Sequence, residues 1–292
     1  NMSQEENHEP YNLPENNVNT NLEETKEKLQ NSNEILKEPE KEDKKEDLDD
    51  ISGKELYEYY KKVISEDQID IFVLGDFSPS EMKEIFKEYF KVTTFKKNNK
   101  DLLIKELLPR KRIVRYHEYD KVNQAQLIIL CSLNNLTEFE RRYTIKLYNE
   151  IIGGSANSIL FKNVREKHSY CYYVNSSVKA YDNILLINSG VEQENIDKTI
   201  KLVRKTLKSI NEGKLKEENI ISAKNTIISG IKSASDEPMG IINTYFSKVL
   251  VGTPNEEERI ANFNKITKED IVKVSKKVTL HTILTLESKE DE

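Results

Sequence analysis

Cysteine is nearly absent from this 292-residue chain, with only Cys131 and Cys171 present, both in strand-like runs. So few thiols exclude a disulfide framework, and small apolar packing in a reducing compartment is their expected role. Long apolar runs are missing too. The longest, such as Leu127–Cys131, fall far short of the roughly 20 residues that a membrane-crossing helix requires, so no membrane association is expected. The opening residues NMSQEENHEP have neither a basic start nor an apolar centre. A secretory signal is therefore not expected, and a cytoplasmic location is.

An excess of positive charge is also lacking. The chain has 51 acidic and 45 basic residues, net −6, and the imbalance is local. Residues 1–50 hold 16 acids and 6 bases, which leaves 35 acids and 39 bases in residues 51–292. A tail at −10 thus precedes a body at +4. The body has no basic face of the kind that phosphate neutralisation needs, so nucleic acid is not an expected partner, while peptides remain open as ligands.

What is present is enough apolar sequence, 36%, to build a core. Residues 1–50 are the exception. Their Glu, Asn and Lys with scattered single apolar residues cannot offset the entropy of ordering, and this acidic tail is expected to be disordered apart from a transient helix over Glu23–Leu36. Structure is expected to begin with DISGKELYEYYKKVIS, where Ser52 and Glu55 form a capping-box pattern and Leu56, Tyr59, Tyr60 and Val63 share a helical face. A strand at Ile69–Leu74 and a helix from Pro79 follow, giving a helix–strand–helix unit over 51–95. The KKNNK region places a linker at 96–110.

The remaining body, 111–292, opens with two β-rich runs, KRIVRYHEYD and QAQLIILCSL, and then a helix from Thr137 to Ile152 with Phe139, Tyr143, Leu147 and Ile151 in step. The pair Gly153-Gly154 reads as a helix C-cap and turn, since no lysine follows to make a phosphate loop. A strand, NILLINSGV, precedes a one-faced helix carrying Ile196, Ile200, Val203, Leu207 and Ile210, then further helices and a closing strand, LHTILTLES. Strands first and helices last predict an α+β fold, a mainly antiparallel sheet with helices packed on one face.

The order of a helix ending in Gly-Gly, a helix SxxLFxxVREK, a tyrosine-bearing strand, a strand closing on Ser-Gly and a final TKEDIVKVSKK segment resembles the second repeat of the insulinase and pitrilysin family of zinc metallopeptidases, the inverzincins. The resemblance covers about Arg112–Leu286, and Lys54–Phe90 resembles the final helix–strand–helix of a preceding repeat. Family members carry an arginine and a tyrosine in a run like RE-K/R-x-G-L-x-Y. Here REKHSYCY puts Arg165 and Tyr172 at those positions, with Ser169 and Tyr170 in place of the usual Gly-Leu. The YYV after the cysteine is most similar to a bacterial cytoplasmic subgroup whose related proteins occur in pairs.

The resemblance implies a metallopeptidase-repeat sandwich in which one repeat carries H-x-x-E-H and a further glutamate, and the other presents the arginine and tyrosine across an enclosed chamber. Two histidines and a carboxylate hold zinc with a position open for water. Tyr172 is then expected to donate to the oxygen of the attacked carbonyl and Arg165 to hold substrate carbonyls. The histidines of this chain stand in HEPYN, HEYDK, HSYCY and HTILT, and none precedes a Glu-His pair by three residues. His117-Glu118 begins an H-E-x-x-H pattern, but Lys121 takes the second histidine's place in a strand-like setting. No metal site or catalytic residue is expected in this chain, and zinc is expected in a partner subunit.

Blander roles exist for each residue. Arg165 can serve the C-terminal end of its own helix or an ion pair, and Tyr172 can be a cross-strand packing residue. Strand alternation places Tyr170 and Tyr172 on one face and Cys171 and Tyr173 on the other; His168 is expected to face solvent. The expected function is a non-catalytic, peptide-binding half of an inverzincin-type peptidase, paired with a zinc-bearing homologous subunit or with itself. The competing expectation is a structural or regulatory assembly module that has the fold but no substrate role.

Overall fold

Strand β2 (Ala125–Leu133) explains the architecture around it. Ala125, Leu127, Ile129 and Cys131 are buried while Gln126, Ile128 and Leu130 between them keep partial exposure. A strand with that alternation has one face against a core and one face open. In this computed structural model, residues 51–67, 69–89, 107, 110 and 112–289 are described. The acidic tail 1–50, its expected helix at 23–36 and most of the expected 96–110 linker lie outside them. The chain divides into two units between Asp67 and Gln68.

In the first unit the described residues form helix α1 (Gly53–Glu66). Its capping box is as the sequence indicates: the Ser52 hydroxyl accepts from the Glu55 N–H, and the Glu55 carboxylate accepts from the Ser52 N–H at 3.0 Å.

In the second unit, helix α2 (Pro79–Tyr89) starts where proline at the first turn allows it. The strand expected at Ile69–Leu74 does not form, because these residues pair with no strand among the described residues. Ile71, Val73 and Leu74 stay exposed. Apolar β-branched sequence favours a strand only when a neighbour completes its ladder.

Five strands, β1 (Val114–Asp120), β2, β3 (Cys171–Lys179), β4 (Ile184–Val191) and β5 (Val278–Ser288), form one sheet in the order β1-β5-β2-β4-β3. Every pairing is antiparallel except β1 with β5. The last strand thus enters the middle of the sheet. Helix α3 (140–154) combines a short α segment, Ile145–Asn149, with wider π turns on either side, Glu140–Thr144 and Glu150–Gly154. Helix α4 (Phe161–Lys167) is π-helical as well. Then come α5 (Ile196–Asn211), α6 (Glu217–Asp236), α7 (Pro238–Val251), α8 (Glu256–Lys265) and α9 (Lys268–Ser275).

One core joins the inward face of the sheet to Leu147, Tyr148 and Ile151 of α3, to Ile200, Val203 and Leu207 of α5 and to Ile271 and Val274 of α9. The result is the expected α+β layer of helices on a mainly antiparallel sheet. Burying each such aliphatic side chain is worth about 1.5–3 kcal/mol. Both cysteines are free and buried, and burial pushes the Cys131 thiol up to about 12. Buried Arg141 of α3 pins the β3–β4 turn, donating to the Ala180 carbonyl and, at 2.8 Å, to Asn183 Oδ1.

Gly153-Gly154 plays a different part from the expected turn. Neither residue has positive φ. A Cβ on Gly153 would lie 2.6 Å from Ser176 Oγ and 2.9 Å from the Ser176 nitrogen, so the glycine lets α3 lie directly against β3.

Candidate substrate-contact site

The segment from Ser158 to Val174 is built around a reversal. Leu160 and Val164 bury one side of α4, which turns Arg165 outward. The chain then reverses at Ser169, whose φ of +54° lies in the left-handed region. The Ser169 N–H returns to the Arg165 carbonyl at 3.1 Å and the Tyr170 N–H to the Val164 carbonyl at 3.0 Å. A left-handed residue closing a helix is usually glycine, which is the physical reason for a glycine at the position that Ser169 fills here.

After the reversal, β3 begins with an irregularity. Cys171 pairs with Val191, and the next partner in register, Gly190, faces Tyr173, so Tyr172 is the extra residue of a β-bulge. The expected alternation fails for this reason: Tyr172 and Tyr173 are both exposed, while Cys171 and Val174 are both buried. Tyr173 instead lies across Gly190 and donates its hydroxyl to Gln126. A bulge re-aims one side chain, and here that side chain is Tyr172, 68% exposed.

Arg165 and Tyr172 line one surface cavity of about 370 Å³, together with Ser169, Tyr170, Cys171 and Glu192. The Arg165 guanidinium lies over the Phe161 ring, 4.7 Å from its centroid, and forms no ion pair among the described residues. The stacking fixes its direction while leaving its hydrogen-bond donors available. Desolvation raises the Cys171 thiol pKa, only partly opposed by Ser189 and by the charge of Arg165, so this cysteine stays a thiol. The sequence marked Cys171 for packing only and did not single out Glu192, whose only signal is its place directly after the Ser-Gly-Val end of β4. His168 is exposed, as expected, and stacks on Tyr170 at 5.1 Å.

His117 and Glu118 lie on β1, where residues one apart point to opposite faces. His117 Nδ1 is 2.9 Å from Thr285 Oγ1 and 3.2 Å from Glu287. Among the described residues no group of three or more His, Cys, Asp and Glu side chains is arranged to hold a metal ion, and no helix is long and apolar enough to cross a membrane.

Residues 50–227 match the family described as the peptidase M16 inactive domain, a stretch that contains Arg165 and Tyr172. The chain belongs to this family. It is thereby a relative of metallopeptidases, in the family part described as inactive. It is 28% identical over 251 residues to the probable inactive metalloprotease YmfF of Bacillus subtilis, covering 84% of this chain and 57% of that protein. Among solved structures, a conserved protein from Enterococcus faecalis matches with a TM-score of 0.74 and 27% identity, over 84% of this chain and 58% of the other. A peptidase M16 inactive domain from Pseudomonas fluorescens shares the fold at 17% identity and a TM-score of 0.59, over 75% and 53% of the two chains. The chain thus spans somewhat more than half the length of these relatives.

Proposed function

We propose that this chain is the non-catalytic, peptide-binding half of an M16-type zinc peptidase, closing a substrate chamber with a zinc-bearing homologous subunit. The observation that carries the reading is the shared cavity. An arginine with no ion pair among the described residues and a tyrosine pushed outward by a bulge line one open depression, beside Glu192, on a domain of this family. In that role the Tyr172 phenol donates to a substrate carbonyl oxygen as negative charge develops there, and the Arg165 fork holds neighbouring peptide carbonyls. Zinc in the partner supplies the activated water; the residues of this chain position the peptide. The chain and its partner, like the peptide itself, are expected to meet in the cytoplasm.

A second reading, an assembly module without a substrate role, is favoured by α7. None of its residues is buried, and Met239, Tyr245, Phe246, Val249 and Leu250 are exposed. An apolar helix in that state marks an interaction surface. Mixing the chain with the H-x-x-E-H-bearing relative from the same genome tests the proposal. Co-elution as a heteromer, with chelator-sensitive peptide cleavage appearing only in the mixture, is expected. A zinc subunit that cleaves equally well alone contradicts it, and a stable heteromer with no gain in cleavage favours the assembly module.

A further inference from the structure

Away from Arg165, a larger cavity of about 820 Å³ opens between α3, β3 and the helices α6, α7 and α8. That volume is within the range of small-molecule sites. One wall is a single face of α3, on which Arg142, Lys146 and Glu150 recur at four-residue steps with Asn149 beside them, and Arg259 of α8 lines the cavity too. Ile227, Ile231 and Phe263 make other parts of the lining apolar.

The charged groups differ in their commitments. Arg142 is engaged, donating to the carbonyls of Gly252 at 3.0 Å and Val251 at 2.5 Å and pairing with Glu138. Lys146, Glu150 and the Arg259 side chain have no hydrogen-bond or ion-pair partner among the described residues. Lys146, which is exposed, and Glu150 stand four residues apart on one helix without pairing. Glu150 Oε1 and Asn149 Oδ1 are, in addition, buried acceptors without a donor among the described residues, an unfavourable state that donors on a ligand would relieve. Desolvation, then the charges of Arg259 and Arg142, lower the Lys146 ammonium pKa, which a bound anion would reverse.

Two free cations call for an anion, and two unmet acceptors call for hydrogen-bond donors in the same ligand. A bare phosphate meets the first need only and faces the Glu150 carboxylate. We infer that this cavity binds a small amino-acid-type zwitterion, of free amino acid to dipeptide size, with its carboxylate at Lys146 and Arg259 and its ammonium at Glu150 and Asn149. The apolar lining accommodates an uncharged side chain. The site uses neither Arg165 nor Tyr172 and does not depend on the function proposed above.

Calorimetric titration of the full chain with alanyl-phenylalanine, its C-terminal amide, its N-acetyl form and inorganic phosphate tests the inference. Saturable binding of the free dipeptide is expected, with both blocked forms at least tenfold weaker and phosphate weaker still. Lys146→Met should cost at least tenfold, and Glu150→Gln should abolish the preference for the free amine. Equal affinity for acid and amide, tightest binding of phosphate, or no saturable binding of the dipeptide overturns the inference. The comparison of ligands on the unsubstituted chain decides the matter even where a variant fails to fold.

Discussion

Ser169 sits in the left-handed region at φ +54°, where a side chain costs about 1–2 kcal/mol that glycine avoids. It is exposed, so Ser169→Gly is expected to raise stability by about 0.5–1 kcal/mol, read as a higher denaturant midpoint at unchanged slope. Gly153→Ala should act in the opposite direction. Its new methyl would press on Ser176, whose hydroxyl donates to the Asn149 carbonyl at 3.3 Å, and a loss of about 1–3 kcal/mol is expected. Gly230→Ala is the control: open space surrounds that helical position, and a gain of about 0.5–1 kcal/mol should result. The sequence indicated Arg165 and Tyr172 by their spacing in a family-like run. It did not reveal that Tyr172 is bulged out of register, because a bulge is set by the partner strand, here by Gly190 opposite Tyr173.

Helix α3 shows what periodicity can and cannot convey. The step of four marked Tyr143, Leu147 and Ile151 correctly as buried, but Phe139, the first residue in that step, lies at the exposed start of the helix. The π turns at either end left no trace, since a four-residue repeat suits both windings. The apolar run Ile69–Leu74 was misread for the complementary reason: local composition says nothing about whether a pairing strand is present. At its start α3 is tied down by Glu140, which accepts from the Thr137 N–H at 2.7 Å and from Lys277 Nζ at 2.6 Å. Desolvation is the largest single influence on this carboxyl and raises its pKa, but the hydrogen bonds from Lys277 and Thr137 together outweigh it and leave the pKa lowered. A carboxyl with a lowered folded pKa contributes stability above its unfolded pKa and loses it as pH falls through the folded one. Glu140→Gln should therefore cost about 1–3 kcal/mol at pH 7, and the gap between variant and parent should narrow below about pH 4. Urea titrations at the two pH values check this.

At the scale of the whole molecule, the helices on one sheet face and the sequential order of the elements were legible, because apolar spacing reports burial directly. The exposed face of α7 is legible only in the structure, since an apolar helix reads equally well as buried. If α7 is an interface, Phe246→Glu with Val249→Glu should abolish association in sedimentation velocity while leaving the far-ultraviolet circular dichroism of the chain unchanged.

Cleavage by the assembled complex is the most direct test of the proposed role. Arg165→Ala and Tyr172→Phe are combined in this chain, the zinc-bearing relative is added in equal amount, and the rate constant kcat/KM for a fluorogenic peptide is measured alongside co-elution. The account predicts intact assembly with a loss of at least about 100-fold, in line with removing charge-stabilising donors. Full cleavage by an intact complex would contradict it, and would leave the two residues no part in holding the peptide.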